Sequence, residues 1–171
     1  MTEVSYYFNS YDVGEVWANN PEYMVDNDTD TYTTSAINSD TQLLDGNTCD
    51  GTNLGTITKV ELRLFGKISG GANTSHLVPV FSGTDDGDNH NMGSPSFSGE
   101  WSDYADITSD TNAPGTWSWS DVQNLDCDVI LDEAGGTSSV SKVEIRVTYT
   151  ATPAGPANDG TKNTNNYYYG V

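Results

Sequence analysis

The sequence predicts an all-β chain: an antiparallel sandwich of about eight strands, followed by an extended C-terminal tail. Three observations carry this. Two long segments alternate strictly, with apolar residues at 60, 62 and 64 set against Lys59, Glu61 and Arg63, and with Val143, Ile145, Val147 and Tyr149 set against Lys142, Glu144 and Arg146. A period of two is the signature of a half-buried strand, not of a helix. The remaining candidate strands are short and separated by stretches rich in Gly, Asn, Asp and Ser, such as Gly83-Thr84-Asp85-Asp86-Gly87-Asp88-Asn89-His90-Asn91. Strands punctuated in this way argue for a sandwich or barrel and against a parallel sheet flanked by helices.

In chain order the expected strands cover residues 5–8, 32–36, 56–65, 76–81, 104–108, 116–119, 127–131 and 141–149. The apolar face of the two long strands, Val60, Leu62, Leu64, Val143, Ile145 and Val147, is the expected core. Residues 120–125 could form one helical turn with Ser120 as its cap. In residues 125–131 the alternation turns Cys127 inward beside Leu125 and Val129, so a buried free thiol is the expectation for it, although Cys49 and Cys127 would permit one disulfide.

The chain has 171 residues, enough for one domain of ordinary size, and residues 1–150 are assigned to the sandwich. After Tyr149 the character changes. Residues 151–160 hold three Ala, two Pro and two Gly and offer almost nothing to bury, and the tail that follows ends in Tyr167-Tyr168-Tyr169-Gly170-Val171. Residues 151–171 are therefore read as a linker that delivers three aromatic side chains to an assembly interface. The N-terminal segment lacks the basic and apolar regions of a signal peptide, so the expectation is synthesis without one.

Charge excludes some partners. Against 25 acidic residues stand 6 basic ones, for a net charge of −19 and a pI of about 4.1. A phosphate backbone or an anionic membrane would repel such a surface, so neither nucleic acid nor membrane is an expected partner. Chemistry-bearing patterns are few. His76 and His90 are the two histidines, and neither sits in a nucleophile or zinc motif. A Gly-rich phosphate loop with its Lys is also lacking, and pairs of carboxylates are inevitable at this acid content, so the chain is read as non-enzymatic.

One loop packs oxygen atoms closely: Asp26-Asn27-Asp28-Thr29-Asp30-Thr31. Clustered hard oxygens suit calcium, although the spacing is not that of the twelve-residue helix-loop-helix site. The run from Asn20 to Tyr32, followed by Leu54-Gly55-Thr56-Ile57-Thr58-Lys59-Val60-Glu61-Leu62, resembles the discoidin or galactose-binding-like jelly roll. In that family an Asn-Ala-x-Asp-Gly-Asp-x-x-Thr-x-Trp segment precedes a Leu-Gly-x-x-x-x-Ile/Val strand pair, and a late strand carries a Glu. Here Asn27 stands where the family has its middle Gly, and Tyr32 where it has Trp.

The resemblance implies a jelly-roll sandwich with a structural Ca2+ held by Asp26, Asp28, Thr31 and Glu144, together with carbonyls near Val25. Sugar-binding members use exposed aromatics with Arg or His at the sandwich tip, which makes Trp101, Trp117 and Trp119 the candidate carbohydrate contacts, beside Tyr104, His76 and His90. Trp117-Ser118-Trp119 has strand spacing, so both rings could share a face. As core or interface anchors the same residues would be equally at home.

The overall texture, acidic and rich in Asn, Thr, Gly and Tyr, also resembles phage and viral virion proteins. Two functions are therefore expected. The first is a non-enzymatic structural subunit of a virion or filament (capsid decoration, fibre or tail component) that self-associates or joins other subunits of the same particle. The second is a calcium-stabilised carbohydrate-binding module for surface attachment. The corresponding location is a virion or an extracellular assembly.

Overall fold

A computed structural model of the chain describes residues 1–14, 19–35, 40–71, 73–93, 95–132 and 135–152. The strands are β1 (Thr2–Tyr7), β2 (Thr33–Ser35), β3 (Asp40–Leu44), β4 (Gly55–Ser69), β5 (Thr74–Phe81), β6 (Asp85–Asp86), β7 (His90–Asn91), β8 (Glu100–Trp101), β9 (Ala105–Asp106), β10 (Asp126–Asp132) and β11 (Thr137–Ala151). A 3₁₀ turn covers Pro21–Met24, and one short helix, α1, covers Trp119–Gln123.

All pairings are antiparallel and fall into two sheets. The six-stranded sheet runs β1-β11-β4-β8, with β2 also on β11 and β9 also on β4; the five-stranded sheet runs β3-β10-β5-β6, with β7 also on β5. β1 and β2 occupy successive stretches of one edge of β11, and β8 with β9 and β6 with β7 share positions in the same way. The eleven strands thus fill eight positions, ordered 1-8-3-6 in one sheet and 2-7-4-5 in the other. That is the jelly-roll order, with consecutive positions alternating between sheets except at the fourth and fifth.

β4 and β11 set the frame. Both are 15 residues long, and they pair along nearly their whole length, with bulges at Val140/Lys142 and Thr148/Tyr149. Alternation sends Val60, Leu62 and Leu64 of β4, and Val143, Ile145 and Val147 of β11, into the core, all fully buried. From the other sheet Leu44, Leu77, Cys127, Val129 and Leu131 meet them. Each such burial is worth roughly 1.5–3 kcal/mol before the entropy of ordering is counted. Both cysteines are free and buried, and burial pushes the Cys127 thiol well above its ordinary pKa.

Two local expectations need correction. Residues 116–119 do not form a strand, because Ser118 caps α1: its hydroxyl accepts from the Asp121 N–H at 3.2 Å while the Asp121 carboxylate accepts from the Ser118 N–H at 2.7 Å. This reciprocal capping box fixes a helix start, with Ser118 rather than Ser120 as the cap. The second is β3, which the sequence did not announce. Its Gln42 is fully buried and donates to the Asp12 carbonyl, and main-chain bonds from Asp12 to Leu43 and from Asp45 to Ser10 close its outer edge.

The capping box carries Trp117 and Trp119 inward, at 8 % and 4 % exposure. Trp117 meets Phe81 edge to face and donates to the Thr108 carbonyl; Trp119 does the same with Tyr149 and the Gly55 carbonyl. The Trp119→Ala variant is expected to lose about 3–5 kcal/mol, read as a lower urea midpoint with an unchanged m-value.

Candidate functional site

The outer face of the six-stranded sheet holds the densest polar cluster of the described residues. Both long strands carry the same five-residue pattern, Lys59-Val60-Glu61-Leu62-Arg63 and Lys142-Val143-Glu144-Ile145-Arg146. Antiparallel pairing sets Arg63 opposite Glu144 and Arg146 opposite Glu61. The sequence is therefore complementary to itself in this register, and opposite charges facing each other across a ladder stabilise the pairing. Arg63 Nη2 lies 3.0 Å from Glu144, Arg146 Nη2 lies 2.7 Å from Glu61, and Lys59 Nζ lies 2.6 Å from the other oxygen of Glu61.

Neighbouring elements close over these pairs. The Ser5 hydroxyl of β1 donates to Glu144 at 2.9 Å, and the Tyr104 hydroxyl, just before β9, makes a short bond to the same oxygen. Rings then cover the cations. The Arg63 guanidinium lies 4.1 Å from the Trp101 ring centre and 4.4 Å from that of Tyr104, and Arg146 lies 3.5 Å from Tyr104. Lys67 sits over Tyr32 at 3.6 Å and Lys142 over Tyr7 at 3.7 Å. Each contact of this kind contributes roughly 0.5–2 kcal/mol. Although they lie on an outer face, Glu61 and Glu144 are only 3 % and 2 % exposed.

The electrostatics follow from that geometry. Burial alone would raise the Glu144 pKa, but hydrogen bonds from Tyr104, Arg63 and Ser5 and the charge of Arg63 outweigh it and hold the carboxyl below its ordinary value. Tyr104 is pushed far above the usual phenol range, first by burial and then by its bond to Glu144. Arg146 is raised, since its bonds to Glu61 overcome the opposing effect of burial.

Five of the six basic residues of the chain, Lys59, Arg63, Lys67, Lys142 and Arg146, stand on this face, and the sixth, Lys162, lies outside the described residues. The outer face of the other sheet is the opposite case. There β10 presents Asp126, Asp128 and Asp132, paired with Val80, Val78 and Thr74 of β5, and no Lys or Arg stands on it among the described residues.

The sequence-derived site residues separate. Trp117 and Trp119 are core residues, so their rings cannot form a sugar platform, whereas Trp101 is half-buried on the outer face, edge to face with Phe65. Glu144 is taken up by Arg63, Tyr104 and Ser5, which corrects its assignment to the acidic loop. In that loop Asp26 accepts from the Asp28 N–H at 2.9 Å and from the Thr31 hydroxyl at 2.7 Å, and Asp28 accepts from the Asp30 N–H at 2.9 Å. Asp26, Asp28 and Thr31 thus share one hydrogen-bonded turn while Glu144 is bound to Arg63, Tyr104 and Ser5, and no group of three or more His, Cys, Asp or Glu among the described residues is arranged to hold a metal ion. His90 of β7 lies 2.7 Å from Asp110, fastening a loop to the second sheet, and His76 of β5 lies 3.0 Å from Asp132 of the neighbouring β10. Tyr167, Tyr168 and Tyr169 lie outside the described residues.

Two of the clefts that the described residues line adjoin these groups. One of about 660 Å³ lies at a sandwich tip among Gly46, Ser82, Asn112, Asp121, Asn124 and Asp126. The other, of about 430 Å³, runs between the sheet edges beside His90, Asp103 and Tyr104.

Fold and face together define a jelly-roll β-sandwich with an ion-paired, aromatic outer face. No family model matches the chain, and no curated protein matches it. Among solved structures, dimeric latent PorU from Porphyromonas gingivalis is similar over 85 % of this chain and 12 % of its own length, at 11 % identity and a TM-score of 0.37. A likeness that slight carries no functional argument.

A depressed carboxyl stabilises the fold above its unfolded pKa, ordinarily about 4.3, and that contribution disappears as pH falls through the folded value. Glu144→Gln is expected to cost about 2–3 kcal/mol at neutral pH and to narrow its gap to the parent protein below pH 4. Urea melts of both proteins between pH 7 and pH 3 check this.

Proposed function

We propose that this chain is a non-enzymatic structural subunit that associates with further copies through the ion-paired face of its six-stranded sheet. The observation behind the reading is the distribution of charge. In a chain of net charge −19 two copies repel each other over most of their surfaces. The outer face of the six-stranded sheet, where the five described cations stand, is where an acidic surface can approach. The outer face of the five-stranded sheet, with Asp126, Asp128 and Asp132 on β10, is the acidic surface that fits it.

A contact between two different faces of the same subunit is head-to-tail, and it generates rings or open filaments. Virion decoration, fibre and tail components are assemblies of that type, and we place the chain among them. Tyr167, Tyr168 and Tyr169, carried on the Pro- and Gly-containing linker, would add aromatic anchors on a neighbouring subunit.

A second reading, a carbohydrate-binding module, is favoured by one observation: Trp101 and Tyr104 flank Arg63 on the same outer face. Rings beside a guanidinium suit a sugar ring and its hydroxyls.

Size-exclusion chromatography with light scattering should show oligomers at low ionic strength that fall apart as salt screens the contact, with a Debye length of about 10 Å at 0.1 M. The double variant Lys59→Glu, Lys67→Glu should weaken association at least tenfold while leaving the sandwich folded, and deletion from Ala154 onward should weaken it without unfolding residues 1–150. A chain that is monomeric at every salt concentration and binds on a glycan array favours the second reading. A monomer that binds no glycan overturns both.

A further inference from the structure

One aromatic ring is used neither by the core nor by the ion pairs. Phe97 is 71 % exposed, the one exposed aromatic residue among those described. A lone exposed apolar side chain is ordinary, but this one is held in place. Pro95 before it is buried, and Gly99 after it lies so close to the cationic face that a Cβ there would stand 2.7 Å from the Tyr32 hydroxyl and 3.2 Å from the Phe65 ring. The Ser96 carbonyl accepts from the N–H groups of Gly99 and Ile68, both at 3.4 Å, and the Glu100 carboxylate accepts from the Ser96 N–H at 2.7 Å. The chain on both sides of Phe97 is thus fastened while its ring stands out, so a partner that covers the ring orders little that is not ordered already.

The cleft of about 660 Å³ at the sandwich tip offers a matching hollow. Phe81, Gly83 and Pro114 line it together with its amides and carboxylates, and a Cβ built on Gly83 would meet nothing within 4 Å. Apolar contacts bordered by polar groups are what an anchor side chain finds at a protein interface. Ring and cleft belong to opposite sheets and to opposite ends of the sandwich. The Phe97 turn is tied to Ile68, near the C-terminal end of β4, whereas the cleft lies where β3 and β5 end and β10 begins. The eight residues of β5 put about 25 Å between those ends. No copy can therefore fill its own cleft with its own Phe97, but a neighbour can. Lys67, over Tyr32, stands on the side of the ring, and Asp126 stands on the side of the cleft, so charge favours the same docking.

We infer that Phe97 is the anchor of the head-to-tail contact and that the tip cleft of the next copy, beside Phe81 and Pro114, is its seat. The inference rests on the association proposed above and gives it a direction. Each copy carries one anchor and one cleft on opposite sheets, so the contact is heterologous and propagates from copy to copy.

Light scattering of the full chain at low ionic strength tests it. Phe97→Ser should weaken association by about tenfold or more and keep the Tm of the parent, because the ring is exposed. Asn124→Trp, which fills the cleft, should weaken association likewise. The two variants lose different halves of the contact, so an equal mixture should form one-to-one dimers that neither forms alone. Phe97→Ser associating as the parent does, or a mixture that stays monomeric, overturns the inference. If Lys59→Glu with Lys67→Glu weakens association and Phe97→Ser does not, the ion-paired face stands and the anchor alone falls; a parent that is monomeric at every salt concentration overturns both. Should Asn124→Trp fail to fold, benzoylphenylalanine in place of Phe97 reads the contact directly. Photo-cross-links to residues 81–83 or 112–114 of another copy are expected, and cross-links confined to other segments overturn the inference.

Discussion

The pairing of β4 with β11 is the constraint from which the rest of the molecule follows. Its inner side supplies Val60, Leu62, Leu64, Val143, Ile145 and Val147 to the core, and its outer side supplies the ion pairs. A slip of one residue would turn every one of these side chains to the wrong face. Two independent signals hold the register: the apolar alternation fixes which side faces in, and the two Lys-Val-Glu-x-Arg segments fix which residue stands opposite which. Glu61 meets Arg146 and Glu144 meets Arg63 only when the strands are aligned as they are.

That ladder also decides where the few cations go. With so large an excess of acid, a basic residue placed at random would be surrounded by carboxylates in open water, where an ion pair contributes little. On this face each guanidinium has a nearly buried carboxylate and at least one aromatic ring. The edge strands are positioned by the same pairs: β1 through Ser5 and the segment before β9 through Tyr104. One network therefore joins strands from the beginning, middle and end of the sequence, and it leaves the opposite sheet acidic. The asymmetry between the two outer faces is what makes head-to-tail association physically reasonable for so acidic a chain.

Much of the fold was legible in the sequence because alternation is a local signal. The six core positions named from it are all buried, and seven of the eight expected strands fall on strands of the structure, residues 116–119 being the exception. What was not legible depends on contacts between distant residues. β8 and β9 are two residues each and exist only because β4 offers them an edge. β3 hides because Leu43 and Leu44 are adjacent rather than alternating, with one turned in and one out. Trp117 and Trp119 had strand spacing, but the Ser118–Asp121 capping box won locally and took both rings into the core. Glu144 was assigned to the loop by resemblance, while the repeated Lys-Val-Glu-x-Arg segment already held the signal that an arginine would claim it.

Covalent labelling of lysines in dilute and concentrated protein, read by mass spectrometry, tests the account most directly, because Lys59 and Lys67 stand on the proposed contact face and keep partial exposure. The account predicts that labelling of both falls as the protein associates, together with carboxylate labelling at Asp128 and Asp132, while the exposed Glu3 and Asp50 keep their rates. Lys59 and Lys67 labelling equally in the dilute and associated protein would contradict it.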